Sequence, residues 1–242
     1  MSTRTRLDRF SPRPKWVRYI AGYLAMFIGS VIGKTTIIGR RHLPYKGPFI
    51  VASNHFSYID PPLVINAVKR PINFLAASDQ KIDWYFMWAP WLYGFIPTNR
   101  LNIAPSTIKM AINILKSRKI LGIFPEGTST DTMLRPAKNG VVYLSTVTNS
   151  PIVPIGITGL ENAWHDIFRG IRPKVTIEIG KPFGPFTLPK DRDKKGEALT
   201  EIGIDVMCRI AALLPDERHG VVSGERRIKD YRVENDLRKN GR

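Results

Sequence analysis

The 242-residue chain contains a single cysteine, Cys208. That excludes an internal disulfide framework and a zinc or iron–sulfur site of the usual cysteine type, and it suits a reducing compartment. Acidic residues are also scarce, with 20 Asp+Glu against 37 Lys+Arg and a formal charge of +17. The sequence has no internal repeat and no low-complexity tract. A disordered polycation is excluded by what is present, since 43% of the residues are hydrophobic and can bury a core. The length suits one large domain, or one domain with an appendage, and argues against a two-domain enzyme. The basic excess calls for an anionic partner: nucleic acid, an anionic membrane surface or a phosphorylated small molecule.

Charge and hydropathy divide the first 34 residues into two parts. Arg4, Arg6, Arg9, Arg13, Lys15 and Arg18 face Asp8 alone, which makes residues 1–18 a basic arm. Tyr19 to Gly33 then reads YIAGYLAMFIGSVIG without a charge. Crossing a bilayer takes about 20 mostly apolar residues, and shorter runs lie in the interface or in a core. A secretory signal shares this pattern, but no small-x-small cleavage site follows Gly33. A membrane-associating helix held at the cytoplasmic face by the basic arm is the expectation, with a buried first helix as the alternative.

The remainder alternates between short β-like runs and helical patterns, which is the pattern of an α/β domain. Strands are expected at residues 48–53, 71–77, 120–124, 152–157 and 174–180. Val175, Ile177 and Ile179 point to one side of the last. Pro61 and Pro62 suit the first turn of a helix, where a missing N–H costs nothing. Helical spacing of Ile108, Ala111, Ile112 and Leu115 predicts a helix over 105–117. Shorter evidence predicts one from about 137 to 148, and Ile202, Val206, Ile210 and Leu213 predict one over 197–214, ended by Pro215. The charged tail, residues 215–242, is expected to be loosely held.

Two segments carry groups suited to chemistry. In NHFSYIDPP, residues 54–62, His55 follows a strand and Asp60 precedes a proline-initiated helix. Both sit where the carboxyl ends of strands in open α/β sheets bind ligands. A histidine accepts a proton from a hydroxyl near neutral pH, and a carboxylate on its other nitrogen fixes the tautomer and stabilises the cation. Asp60 alone also reads as a helix N-cap, and the two roles are compatible. The G-x-S-x-G elbow of serine hydrolases is absent, so the attacking hydroxyl belongs to the substrate. In GIFPEGTST, residues 122–130, Glu126 and Gly127 lie at a turn whose N–H groups, with the Thr128, Ser129 and Thr130 hydroxyls, could hold phosphate oxygens. Its bland counterpart is an ordinary strand-to-loop turn.

Four blocks in order resemble the glycerolipid acyltransferase family, the PlsC-like 1-acylglycerol-3-phosphate acyltransferases. Residues 54–60 match H-x-x-x-x-D, GFIPTNR (94–100) resembles the block ending in arginine, FPEGTST resembles F-P-E-G-T, and VPIGI resembles V-P-[IV]. The resemblance covers roughly residues 35–190, and it is the combination, not H-x-x-x-x-D alone, that is specific. It implies a mixed, mostly parallel sheet flanked by helices, and O-acyl transfer from acyl-CoA or acyl-carrier protein to lysophosphatidic acid. By the resemblance, His55 deprotonates the acceptor hydroxyl and Asp60 orients it. Arg100 binds the phosphate, Glu126 serves the glycerol hydroxyl or the local geometry, and Lys138 adds a phosphate contact. Ser129 stands where the family often has arginine. The anion would then be held through Arg100, Arg135 and Lys138, or another lyso-lipid or glycerol 3-phosphate would be the acceptor. No metal or organic cofactor is implied.

These readings divide the chain into a basic arm and membrane-associating helix (1–34), an acyltransferase domain (35–214) and the charged tail. Seven aromatics crowd residues 83–97, as a membrane-interface element, an acyl-chain wall or core packing would require. No Lys or Arg lies between Trp84 and Ile96, so base stacking is poorly supported. The expected partners are therefore an acyl thioester donor, a lysophospholipid acceptor and an anionic membrane surface, with nucleic acid the least supported.

Overall fold

A computed structural model describes residues 14–32, 34–77, 95–98, 104–127, 132–160 and 169–235. Its strands are β1 (Lys34–Ile38), β2 (Phe49–Ser53), β3 (Ile72–Ala77), β4 (Ile96–Thr98), β5 (Ile120–Ile123), β6 (Ile152–Thr158) and β7 (Lys174–Ile179). Its helices are α1 (Lys15–Ile32), α2 (Asp60–Val68), α3 (Pro105–Lys116), α4 (Gly140–Thr148), α5 (Arg192–Ala211) and α6 (Arg227–Asn235). The strands form one sheet in the order β1-β7-β6-β2-β5-β3-β4. Among the named strands β6 and β7 pair antiparallel and the other pairings are parallel.

Residue type explains which strands lie at the centre. FIVAS in β2 and ILGI in β5 are buried throughout, as expected of parallel strands covered by helices on both faces. β7 keeps the expected alternation, with Val175, Ile177 and Ile179 buried. One face of the sheet meets α3, α4 and α5 through a cluster that includes Leu115, Val141, Val206 and Ile210. The opposite face meets α2 through Leu63, Val64, Ala67 and Val68. β2 lies between β5 and β6, so the carboxyl ends of all three converge.

Several expectations are corrected. β1 was not anticipated; KTTII is half-exposed and pairs at an edge, so it lacks a buried strand's apolar run. α4 begins at Gly140, and the preceding residues cross the site instead of joining the helix. α5 begins at Arg192, because Asp191 accepts hydrogen bonds from the N–H groups of Asp193 and Lys194, a cap outside the apolar stripe. The tail is not loose across 216–235. His219, Val222, Ile228 and Asn235 are buried there, and Arg209 lies against the rings of Phe183 and Tyr231, joining α5 to α6. An apolar pattern misses this segment because polar contacts hold much of it.

Candidate active site

The site forms where β2, β5 and β6 end. Beyond β2, Asn54 is fully buried and spans to β6: its Nδ2 donates to the Ile157 carbonyl (2.9 Å) and its Oδ1 accepts from the Ile157 N–H (2.8 Å). The next residue, His55, is thereby fixed at the sheet edge. Its ring stacks on Phe124 beyond β5, with centroids 4.1 Å apart and planes 21° from parallel. Phe124 in turn stacks on Phe74 of β3.

His55 Nδ1 donates to Asp60 Oδ2 at 3.0 Å, and the same oxygen accepts the Ser57 N–H at 2.8 Å. Asp60 is the first residue of α2, with Pro61 and Pro62 following, and Ile59 takes the N-cap position without a side-chain bond. The capping role expected of Asp60 is thus replaced by its bonds to His55 and to the loop. Asp60 is 1% exposed, while the His55 side chain keeps 16%. Burial pushes the Asp60 carboxyl above the usual carboxylate range, opposed chiefly by its hydrogen bond to His55. With Nδ1 engaged, Nε2 is the nitrogen left to exchange a proton.

Glu126 joins two segments. Its Oε1 accepts the His55 backbone N–H at 2.9 Å, and its Oε2 accepts the Arg135 N–H at 3.1 Å. Of the alternatives implied for this residue, the geometry favours holding the local structure. Burial drives the Glu126 carboxyl up to about 7, against the pull of those two N–H groups. Gly127, at φ 71°, closes the turn, and its N–H donates to the Phe124 carbonyl at 3.0 Å. That N–H is engaged within the turn itself. The glycine also makes room for Lys138, whose Cε would be 3.0 Å from a Cβ at this position. Lys138 N–H donates to the Pro125 carbonyl at 2.9 Å, completing the crossing of residues 135–138 over the turn.

The structure thus brings together His55, Asp60, Glu126, Gly127, Arg135 and Lys138. Arg100, Thr128, Ser129, Thr130 and most of the aromatic segment 83–97 lie outside the described residues. Two contributors were missed. Asn54 had a signal in its position directly before the histidine, and it explains why the V-P-I block matters. Phe124 read only as the end of a strand. Among the described residues, no group of three or more His, Cys, Asp or Glu could hold a metal ion.

An α/β sheet whose strand ends hold a His paired with a buried Asp, with two cations on a crossing segment, defines a class, and comparison with known proteins gives it a family. The Acyltransferase family model matches residues 34–158, over half of the chain, and the chain belongs to that family. It is 28% identical over 155 residues to the 1-acyl-sn-glycerol-3-phosphate acyltransferase of Bacillus subtilis, covering 63% of this chain and 75% of that protein. To the enzyme of the same name from Limnanthes douglasii it is 32% identical over 172 residues, covering 68% of this chain and 59% of that protein. The alignment thus spans under two thirds of the plant relative. The crystal structure of the 1-acyl-sn-glycerophosphate (LPA) acyltransferase, PlsC, from Thermotoga maritima shares the fold, with a TM-score of 0.56 and 22% identity over 78% of this chain and 77% of that one.

Proposed function

We propose that this acyltransferase esterifies the free hydroxyl of lysophosphatidic acid with a fatty acyl group from acyl-CoA or acyl-carrier protein, giving phosphatidic acid. The His55–Asp60 contact at 3.0 Å carries the reading, and the names of the sequence relatives support the acceptor. His55 Nε2 takes the hydroxyl proton as the oxygen attacks the thioester carbonyl carbon. Asp60 stabilises the imidazolium that forms. The tetrahedral intermediate collapses, the carbon–sulfur bond breaks, and the imidazolium proton passes to the departing thiolate. Arg135 and Lys138 supply positive charge for the acceptor phosphate, as does Arg100 by its place in the sequence motifs, and the Thr128 hydroxyl adds a hydrogen bond. The residues call for no cofactor.

The test is thiol release from acyl-CoA and acyl-carrier protein against lysophosphatidate, other lysophospholipids and glycerol 3-phosphate. Release should require an acceptor and be fastest with lysophosphatidate. Equal release without acceptor, or a faster glycerol 3-phosphate reaction, overturns the assignment.

The same reading places the substrate in a membrane, and α1 offers a surface for one. Ala21 and Gly22 are buried on the α2 side, while Trp16 (67% exposed), Tyr19, Ile20, Tyr23, Leu24 and Phe27 face outward at helical spacing. α1 has no acidic residue, and no described helix is long and apolar enough to cross a membrane. The exposed face of α1 supports an interfacial lie on an anionic leaflet at the cytoplasmic face, to which the basic residues of 1–18 bring positive charge by sequence. Replacing Trp16, Tyr23 and Phe27 together by Ser should weaken binding to phosphatidylglycerol vesicles roughly tenfold or more. Unchanged cosedimentation would move the anchor elsewhere.

A further inference from the structure

We propose that residues 216–222, which lie beyond the family-matched part of the chain, are a positioning element of the acceptor site. They set the segment that carries Arg135 and Lys138. The connection is made by backbone. Leu134 N–H donates to the Arg218 carbonyl at 3.0 Å, and the Leu134 carbonyl accepts the Val221 N–H at 3.1 Å. Arg218 Nη1 adds a bond to the Thr132 carbonyl at 3.3 Å. Gly220 has φ +50°, and a Cβ there would stand 2.1 Å from the Leu134 carbonyl oxygen and 2.9 Å from its nitrogen. Glycine is required for an approach this close. The element is itself braced, because Arg232 of α6 donates to the Leu214 carbonyl at 2.9 Å and to Asp216 at 2.6 Å, beside the buried His219.

What this element holds is one residue from the site. Leu134 is 1% exposed and immediately precedes Arg135, whose N–H bonds Glu126, whose other oxygen bonds His55. Releasing residues 132–134 therefore frees the Arg135 end of this chain of bonds, while Asn54, Phe124 and Asp60 still hold the His55 end. Displacement by about an ångström at a positioning contact is enough to change rates up to about a hundredfold. The expected signature is selective, falling on the acceptor and sparing the proton transfer.

The inference rests on the reading of this site as a lysophosphatidate acceptor site, and the experiment separates the two. Gly220→Ala should speed amide exchange at Leu134 and Arg135 about tenfold or more. It should also raise the KM for lysophosphatidate about tenfold, with kcat and the KM for acyl-CoA changed by less than about threefold. Arg218→Gln, which leaves the backbone bonds in place, should act in the same direction more weakly and serves if Gly220→Ala does not fold. Unchanged amide exchange in both variants overturns the proposal whatever the substrate is. Faster exchange with an unchanged acceptor KM overturns its functional part. A wild-type protein inactive on lysophosphatidate instead defeats the substrate reading, and the exchange measurement still decides whether 216–222 sets this segment.

Discussion

The two carboxylate oxygens of Glu126 reach into regions held in different ways. On the His55 side, the chain leaves a fully buried central strand, Asn54 locks it to β6 through both backbone groups of Ile157, and His55 and Asp60 are five residues apart. On the Arg135 side, a crossing segment is held by residues 218–221, more than 80 positions further along the chain. The first region borrows the rigidity of the sheet. The second depends on backbone contacts between loops, which local opening samples more readily than a central strand. The proposed proton-transfer pair is therefore held against a buried central strand, and the proposed anion contacts lie on a segment held by backbone bonds between loops.

The largest effect that would break this comparison is on the His55 side. His55→Ala should lower kcat roughly 10² to 10⁴-fold, the range expected when a general base is removed, with the KM for lysophosphatidate nearly unchanged. Steady-state kinetics over a range of acceptor concentrations decides it. A loss confined to KM would merge the two regions into one binding surface, and unchanged turnover would remove His55 from the chemistry.

The two regions also differ in how legible they are in the sequence. The His55 side could be read because its parts are local: a continuous apolar run, a polar residue beyond it, and a carboxylate before paired prolines. The α/β class and most strands were legible for the same reason, since periodicity reports burial directly. The reach of Glu126 to Arg135 was not, because the signal is a side chain meeting a backbone N–H, and any residue supplies one. Residues 216–222 were legible still less. Their composition is charged, and what places them is the missing Cβ of Gly220 and polar bonds from Arg218 and Arg232. The expected start of α4 at about Ala137 failed by the same logic, because Ala137 and Lys138 are good helix formers yet belong to the segment that covers the turn, and the helix begins at Gly140.

A smaller effect sharpens the comparison at the joint itself. Glu126→Gln keeps the shape but offers one acceptor oxygen and one N–H₂ group, so one of the two backbone N–H donors must face another donor. A buried polar group left in that position costs about 1–3 kcal/mol, which corresponds to roughly 5- to 160-fold in kcat/KM if it falls on the transition state. Both kcat and acceptor KM should suffer, because Glu126 serves both regions. Stability should respond to pH in a way that isolates this residue. The Glu126 carboxyl titrates near 7 in the folded protein and near 4.5 when exposed. Between those values the folded state keeps a proton that the unfolded state has released, so rising pH favours unfolding. Relative to Glu126→Gln, the wild-type protein should lose stability from about pH 5 to pH 7, by at most about 1.4 kcal/mol per pH unit, and level off above. Denaturant unfolding of the pair across pH 5 to 8 measures it. A difference that stays flat would mean that Glu126 is ionised throughout, with its two N–H bonds outweighing its burial.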